Sequence, residues 1–186
     1  MTRRDSSASD ERLMAQVRDG SVAAFQALYE RHHRALFAFL LRFLADRPMA
    51  EDLLQEAFLR VYLHRESYRP TAAFRTWLFT IGWNLAIDHL RQGGIPWKGP
   101  AEENQSAEIP DSSPSPLRRV EAAEQLGQLE DAVRQLPPGQ REILLLSRFA
   151  GLSHAEIATV TGASPGAVRV SLHRALEHLK KLRGPL

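Results

Sequence analysis

Apolar residues recur three and four positions apart along almost the whole chain, and nowhere do β-branched and polar residues alternate over the length of a strand. That period paints one stripe of a 3.6-residue helix and does not fit a half-buried strand, so the fold class expected is all-α. One stretch interrupts it. Residues 93–116 hold five prolines and three glycines, are rich in Ser and Glu, and carry no apolar period. Such a segment reads as a flexible linker, and fully extended it spans on the order of 80 Å, so the blocks it joins need not touch. The expectation is two small helical domains, residues 1–92 and 117–186, with a Pro/Gly/Ser-rich acidic spacer between them.

The 44% hydrophobic and 25% charged fractions are those of a globular chain rather than a disordered one. With no cysteine there is no disulfide framework, no thiolate metal site and no thiol redox chemistry, which fits a reducing cytoplasm. Residues 1–10 are polar and lack the apolar core of a signal peptide. The longest apolar stretch, residues 35–44, contains Arg42 and is about half the length of a membrane span, so no membrane insertion is expected. Net charge is only +2, but residues 164–183 hold Arg169, Arg174, Lys180, Lys181, Arg183 and two histidines against a single acid. This is the one visible electrostatic footprint for phosphates.

In the first block a short helix near 11–18 breaks at Asp19-Gly20, and Ser21 is placed to cap a long helix ending near Leu44. Asp46-Arg47-Pro48 opens a third helix over about 49–65, and Tyr68-Arg69-Pro70-Thr71 separates it from a fourth over about 73–92. At 100° per residue the third helix puts Leu53, Leu54, Ala57, Phe58 and Val61 on one face and Asp52, Gln55, Glu56, Leu59 and Leu63 on the other. The second face is either an ordinary solvated surface with two stray leucines or a partner-binding surface with an apolar centre and charged flanks.

The fourth helix has two apolar stripes: Phe74, Leu78, Ile81 and Leu85, and on roughly the other side Phe79, Trp83, Ile87 and Leu90. A helix apolar on two sides is usually a central one. Arg75 and His89 lie on one polar strip between the stripes, Asn84 and Arg91 on the other. The aromatics around them (Tyr68, Phe74, Trp77, Phe79, Trp83) are of a type that stacks on unpaired bases, although core packing alone accounts for most of them.

The strongest local motif lies near the C-terminus. After a helix of about 116–135 and a stop at Pro137-Pro138, an apolar helix over about 139–149 ends at Gly151. Ser153 with Glu156 makes a capping box for a short helix, Gly162 supplies a left-handed turn residue, Ser164 caps the next helix and Pro165 takes its first position. Helix, glycine turn and helix is the arrangement that lays the second helix in a major groove. Val168, Leu172, Ala175 and Leu179 face inward. Gly166, Ala167, Val170, His173, Arg174 and Glu177 face out with Arg169 on the flank, small residues for close approach and donors for base edges or phosphates.

At these residues the chain resembles the bacterial sigma factors, specifically the two-domain extracytoplasmic-function group. Residues 50–60 (AEDLLQEAFLR) resemble the family's core-polymerase-binding helix, and FRTWL at 74–78 with NLAIDHLR at 84–91 resembles its promoter-melting helix. Residues 136–149, and Gly166-Ala167-Val168-Arg169 through Leu172-His173-Arg174-Ala175, resemble its C-terminal DNA-binding domain. The resemblance implies that Asp52, Gln55, Glu56, Leu59 and Leu63 engage the clamp helices of the largest subunit of RNA polymerase core. It implies that the loop 66–73 and the next helix capture a flipped base of the minus-ten element of promoter DNA, with Tyr68, Arg69, Arg75, Asn84, His89 and Arg91 as contacts. It implies that Ser164, Gly166, Ala167, Arg169, Val170, His173 and Arg174 read the minus-thirty-five element as duplex. An anti-sigma factor as sequestering partner and a stress or envelope response as setting are implied as well. The sequence departs from the family where Gly82 and Trp83 replace a frequent basic residue, and where Val170 and Ser171 replace a common serine and arginine.

A stand-alone helix-turn-helix regulator, with the first block as a sensor or dimerisation domain, explains the C-terminal motif equally well but leaves the Asp52–Leu63 face and the aromatic helix unexplained. An enzyme is not expected. Glu51, Asp52 and Glu56 lack a histidine or fourth acid at helical spacing, the adjacent His32 and His33 point to different faces, and no P-loop glycine motif is present. Neither metal nor cofactor is called for. The chain ends soon after the DNA-reading helix, so control is expected from another protein or from expression level.

Overall fold

Short polar side chains set where the helices begin. The computed structural model describes residues 8–70, 72–92 and 131–183; the linker and most of the helix expected over 116–135 lie outside the described residues. The Ser9 hydroxyl accepts from the Arg12 amide (3.3 Å) and starts α1 (Asp10–Arg18), and the Ser21 hydroxyl accepts from the Ala24 amide (3.2 Å) and starts α2 (Val22–Leu44). The Asp46 carboxylate accepts from the Met49 amide (3.0 Å), and with Pro48 in the first turn it starts α3 (Arg47–Leu63). α4 (Phe74–Gln92) begins where the Phe74 amide donates to the Glu11 carboxylate of α1 at 3.3 Å, so a side chain 63 positions away satisfies a helix N-terminus.

The second domain shows residues 131–134 as helix, followed by α5 (Pro138–Phe149), α6 (His154–Thr161) and α7 (Pro165–Arg183). The capping box forms in both directions: the Ser153 hydroxyl accepts from the Glu156 amide (3.3 Å), and the Glu156 carboxylate accepts from the Ser153 amide (2.9 Å). Gly162 takes φ 73° between α6 and α7, a left-handed conformation that favours glycine.

The core of the first domain forms where α2, α3 and α4 pack together around Leu28, Leu36, Phe39, Leu40, Phe58, Leu78 and Phe79, and α1 closes it with Met14 and Val17. α4 comes very close to α2 at Gly82. A Cβ there would stand 2.7 Å from Leu36 Cδ1, and Leu36 is itself fully buried.

The two domains touch, where the linker's length left them free to stay apart. α4 meets α6, and α2 meets α5. Trp83 Nε1 donates to the Glu142 carboxylate (2.6 Å) and the Thr76 hydroxyl donates to the Glu156 carboxylate (2.8 Å). The buried Arg141 guanidinium reaches the Phe43 carbonyl at 3.5 Å, near the end of α2, where exposed carbonyls favour a cation. Arg42 lies 4.5 Å from the Phe149 ring centroid. The physical reason is the second apolar stripe of α4. Its first side fills the first domain's core, and Trp83 and Ile87 on its other side pack against the same hydrophobic cluster that holds Leu146, Ala150 and Ile157 of the second domain.

Two expected outcomes follow from this packing. Ordinarily Gly→Ala in a helix gains about 1 kcal/mol. Gly82→Ala instead loses about 1 to 3 kcal/mol by overpacking against Leu36, lowering the thermal midpoint, and Leu36→Val in the same chain recovers part of the loss; a raised midpoint for the single variant would refute the close approach. Burial pushes the Glu142 carboxyl up to about 7, against the opposing effect of the Trp83 hydrogen bond. The neutral carboxyl is therefore the form the docked state prefers. The stability this contact lends is fully present below the ordinary carboxylate range and is lost as pH rises to and through about 7. Melting curves of the wild type and Glu142→Gln across pH 5 to 8 should converge at the acid end and separate above neutrality.

Candidate nucleic-acid and partner interfaces

Three surfaces carry the residues singled out in the sequence. On α3, Leu54, Ala57, Phe58 and Val61 are buried, and the opposite side is open: Leu59 is 50% and Leu63 60% exposed, with Asp52 and Gln55 exposed and Glu56 half-buried. Glu56 accepts from Arg60 Nε at 2.8 Å, an i,i+4 surface pair worth a few tenths of a kcal/mol. The open side continues beyond the residues the sequence picked out. Tyr62, exposed beside Leu59, packs edge-on against Phe25 (5.6 Å between centroids), and Tyr29 packs on Phe58 (4.8 Å), carrying the apolar surface onto α2 as far as the exposed Val22. Tyr62 lies three residues after Leu59, a helical spacing that could have added it; Val22 and Tyr29 belong to another helix and give no such signal.

The second surface is the loop after α3 and the flanks of α4. Here the Tyr68 ring, expected to meet DNA, is only 7% exposed. Its hydroxyl donates to the Ala72 carbonyl (3.3 Å) and its ring packs against Trp77 (4.9 Å) and Phe74 (6.2 Å), so it pins the loop onto α4. Apolar surroundings and the Glu11 and Asp10 carboxylates push its pKa up to about 12. Arg69 is exposed and its guanidinium donates back to the Glu66 and Tyr68 carbonyls (2.9 and 3.3 Å). Asn84 and the exposed Arg91 share one strip of α4, two helical turns apart. His89, half-buried, and Arg75 lie on the other strip. The structure does not gather these residues into one patch: Arg75 lies at the second domain, where a Cβ added at Gly151 would meet its guanidinium at 3.1 Å, and Gly151 has φ 59°.

The third surface is α7, the second helix of the helix-turn-helix. The Ser164 hydroxyl accepts from the Ala167 amide (3.2 Å) and fixes the start of the helix. Val168 and Ala175 are fully buried, Leu172 and Leu179 half-buried, and Gly166, Ala167, Arg169, Val170, His173 and Arg174 are exposed along the outer side. Glu177, the one acid on this helix, pairs with Lys180 (2.9 Å), so it does not neutralise Arg174.

His32, weighed above as a metal ligand, has a structural task. Its Nε2 lies 2.7 Å from the Asp10 carboxylate, which also binds Arg31, and burial pulls its pKa below the usual imidazole range despite Asp10. The neighbouring His33 stacks on Tyr29 (4.8 Å) and its Nδ1 donates to the Tyr29 carbonyl, on a different side of α2. Among the described residues no three His, Cys, Asp or Glu side chains come together as metal ligands, and no helix is long and apolar enough to cross a membrane.

Comparison with known proteins decides what these surfaces belong to. Residues 28–94 match Sigma-70 region 2 and residues 121–179 match Sigma-70, region 4. The RNA polymerase sigma factor CarQ of Myxococcus xanthus is 39% identical over 93% of this chain and 97% of its own. The ECF RNA polymerase sigma factor SigL of Mycobacterium tuberculosis is 35% identical over 85% of this chain and 88% of its own. The chain belongs to the extracytoplasmic-function sigma factors. As a sigma factor it binds RNA polymerase and promoter DNA in transcription initiation, and the stand-alone regulator is not favoured. The sigma factor's fold agrees: the structure of CnrH in complex with the cytosolic domain of CnrY superposes with a TM-score of 0.70 at 27% identity, over 95% of this chain and 97% of CnrH. The region 2 match begins inside α2, so α1, with its Glu11 cap on α4 and its Asp10 link to His32, lies ahead of the matched residues.

For this sigma factor the outer side of α7 makes a measurable statement. Arg174→Ala weakens binding to a duplex minus-thirty-five fragment by about 1 to 3 kcal/mol, with the loss concentrated at one base pair, if the guanidinium makes a bidentate base contact. A loss uniform across DNA sequences, with a shallower salt dependence, assigns Arg174 to phosphate instead.

Proposed function

We propose that residues 1–92 of this sigma factor hold polymerase and the opened strand, residues 117–186 hold duplex, and the acidic linker 93–116 spans the polymerase between them. In this reading Asp52, Gln55, Glu56, Leu59 and Leu63 engage the clamp helices of the largest subunit, with Tyr62 as a further contact. Arg69, Arg75, Asn84, His89 and Arg91 meet the minus-ten element, Tyr68 supporting the loop from beneath. Ser164, Gly166, Ala167, Arg169, Val170, His173 and Arg174 meet the minus-thirty-five element. The observation that carries the first assignment is the open side of α3: exposed Leu59 and Leu63 flanked by acids, on a helix whose other side buries Leu54, Ala57, Phe58 and Val61.

The factor acts as a non-enzymatic adaptor, alongside polymerase in the cytoplasm, in a stress or envelope response. Control by an anti-sigma factor is part of the proposal. The sigma factor RpoE of Bartonella quintana, which shares this fold at a TM-score of 0.69 and 23% identity, is solved in complex with the anti-sigma factor NepR.

The test is co-elution of the purified chain with bacterial core polymerase in gel filtration. Wild type is expected to co-elute, and Asp52→Ala/Glu56→Ala to lose most of the complex while melting at an unchanged temperature, since neither residue faces the core. Undiminished co-elution of the double variant rejects the α3 surface.

A further inference from the structure

We propose that Glu11 of α1 is a positioning residue for the minus-ten element: it holds the start of α4, and with it Arg69 and Arg75, in the shape that meets the opened strand. The inference deepens the reading in which those two arginines contact that strand, and it rests on it. α1 itself carries no residue assigned to DNA or polymerase.

The sequence leaves α4 without a cap of its own. α1, α2 and α3 each start behind a Ser or Asp whose side chain accepts from the amide three residues on. Ahead of α4 stand Ala72 and Ala73. The Ala73 carbonyl accepts from the Trp77 amide (3.2 Å), as a capping residue's does, but its side chain has no oxygen to offer the free amides of the first turn. Glu11 supplies that oxygen from another helix, its Oε1 accepting from the Phe74 amide at 3.3 Å. A carboxylate there also faces the positive end of the helix dipole.

Glu11 is held in place from both sides. Its neighbour Asp10 is bound by Arg31 and by His32 (2.7 Å), and Arg31 also donates to the Ala8 carbonyl (3.1 Å). The buried His32 ring lies 5.4 Å from the Phe74 ring, so one imidazole touches both the acid of α1 and the first residue of α4. On the other side Glu11 and Met14 share a cavity of about 100 Å³ with Tyr68 and Pro70. Arg69 follows Tyr68 and Arg75 follows Phe74, so each arginine stands one residue from a group against which α1 is set. Attachment of α1 does not need the Glu11 carboxylate, because Leu13, Met14 and Val17 already bury its apolar side. An uncapped first turn frays, and a strand that binds only the ordered turn loses affinity in proportion to the ordered fraction.

Two substitutions separate the reach of the carboxylate from its charge. Glu11→Asp keeps the charge and withdraws the oxygen by one methylene, while Glu11→Gln keeps an accepting oxygen in place and removes the charge. Each variant of the full chain is combined with core polymerase. The probe is the single-stranded oligonucleotide that the wild type with core polymerase retains best from a randomised pool. Glu11→Asp is expected to bind it about five- to tenfold more weakly, the factor a lost helix cap gives, and Glu11→Gln about as tightly as the wild type. Both should co-elute with core polymerase undiminished, and the Phe74 amide should exchange with deuterium faster in Glu11→Asp only. An acid acting on DNA through its charge alone gives the reverse order, with Glu11→Gln tighter than wild type and Glu11→Asp unchanged; that order overturns the proposal. So does a loss of strand binding in Glu11→Asp that is matched by an equal loss of core polymerase, since Glu11 is then an ordinary structural residue. A wild type that retains no oligonucleotide beyond those core polymerase retains alone brings down the minus-ten assignment and the proposal with it, whereas normal retention by all three chains brings down only the role of Glu11.

Discussion

Helix α4 is apolar on two sides and so has to be buried twice. Its first burial builds the first domain: Phe74, Leu78 and Leu85 are buried in its core, and the glycine at position 82 lets α4 approach α2 so closely that a Cβ there would displace the Leu36 side chain. Its second burial joins the domains through Thr76 and Trp83. The second side is chemically milder than the first. A threonine hydroxyl and an indole N–H tolerate both a covered and a wet environment, as amphipathic groups do at interfaces. A purely aliphatic stripe would have fixed the docked state; this one leaves a choice between the second domain and another partner.

Magnitudes support that choice. A net hydrogen bond is worth about 0.5 to 1.5 kcal/mol, and about 1.5 to 3 when one partner is charged. The contacts across the domains therefore amount to a few kcal/mol, from which the burial of Glu142, its pKa raised to about 7, subtracts at neutral pH. Moving a two-state equilibrium from 1:99 to 99:1 takes about 5.5 kcal/mol of differential binding. The docked arrangement is strong enough to be populated and weak enough to be displaced.

Local structure was legible in the sequence because it is set by local chemistry. Ser21, Asp46, Ser153 and Ser164 each bond the backbone amide three residues on, and Gly162 takes the left-handed turn between the two helices of the DNA-binding motif. The two faces of α3 followed from 100° per residue. What the sequence did not reveal depends on which surfaces meet. Periodicity identified α4 as two-sided without naming the element that covers the second side. Tyr68, in a loop beside basic residues, has the composition of a base-stacking platform, yet its burial is decided by Phe74 and Trp77 on the following helix. Gly82 was visible as a departure from a family pattern, but its reason lies 46 positions away at Leu36.

Docking does not close every surface. In the docked arrangement Arg169, Val170, His173 and Arg174 remain exposed on α7, Leu59 and Leu63 on α3, and Arg75 on α4. Under the proposed assignment the docked chain can therefore meet duplex DNA or polymerase with surfaces that are already free.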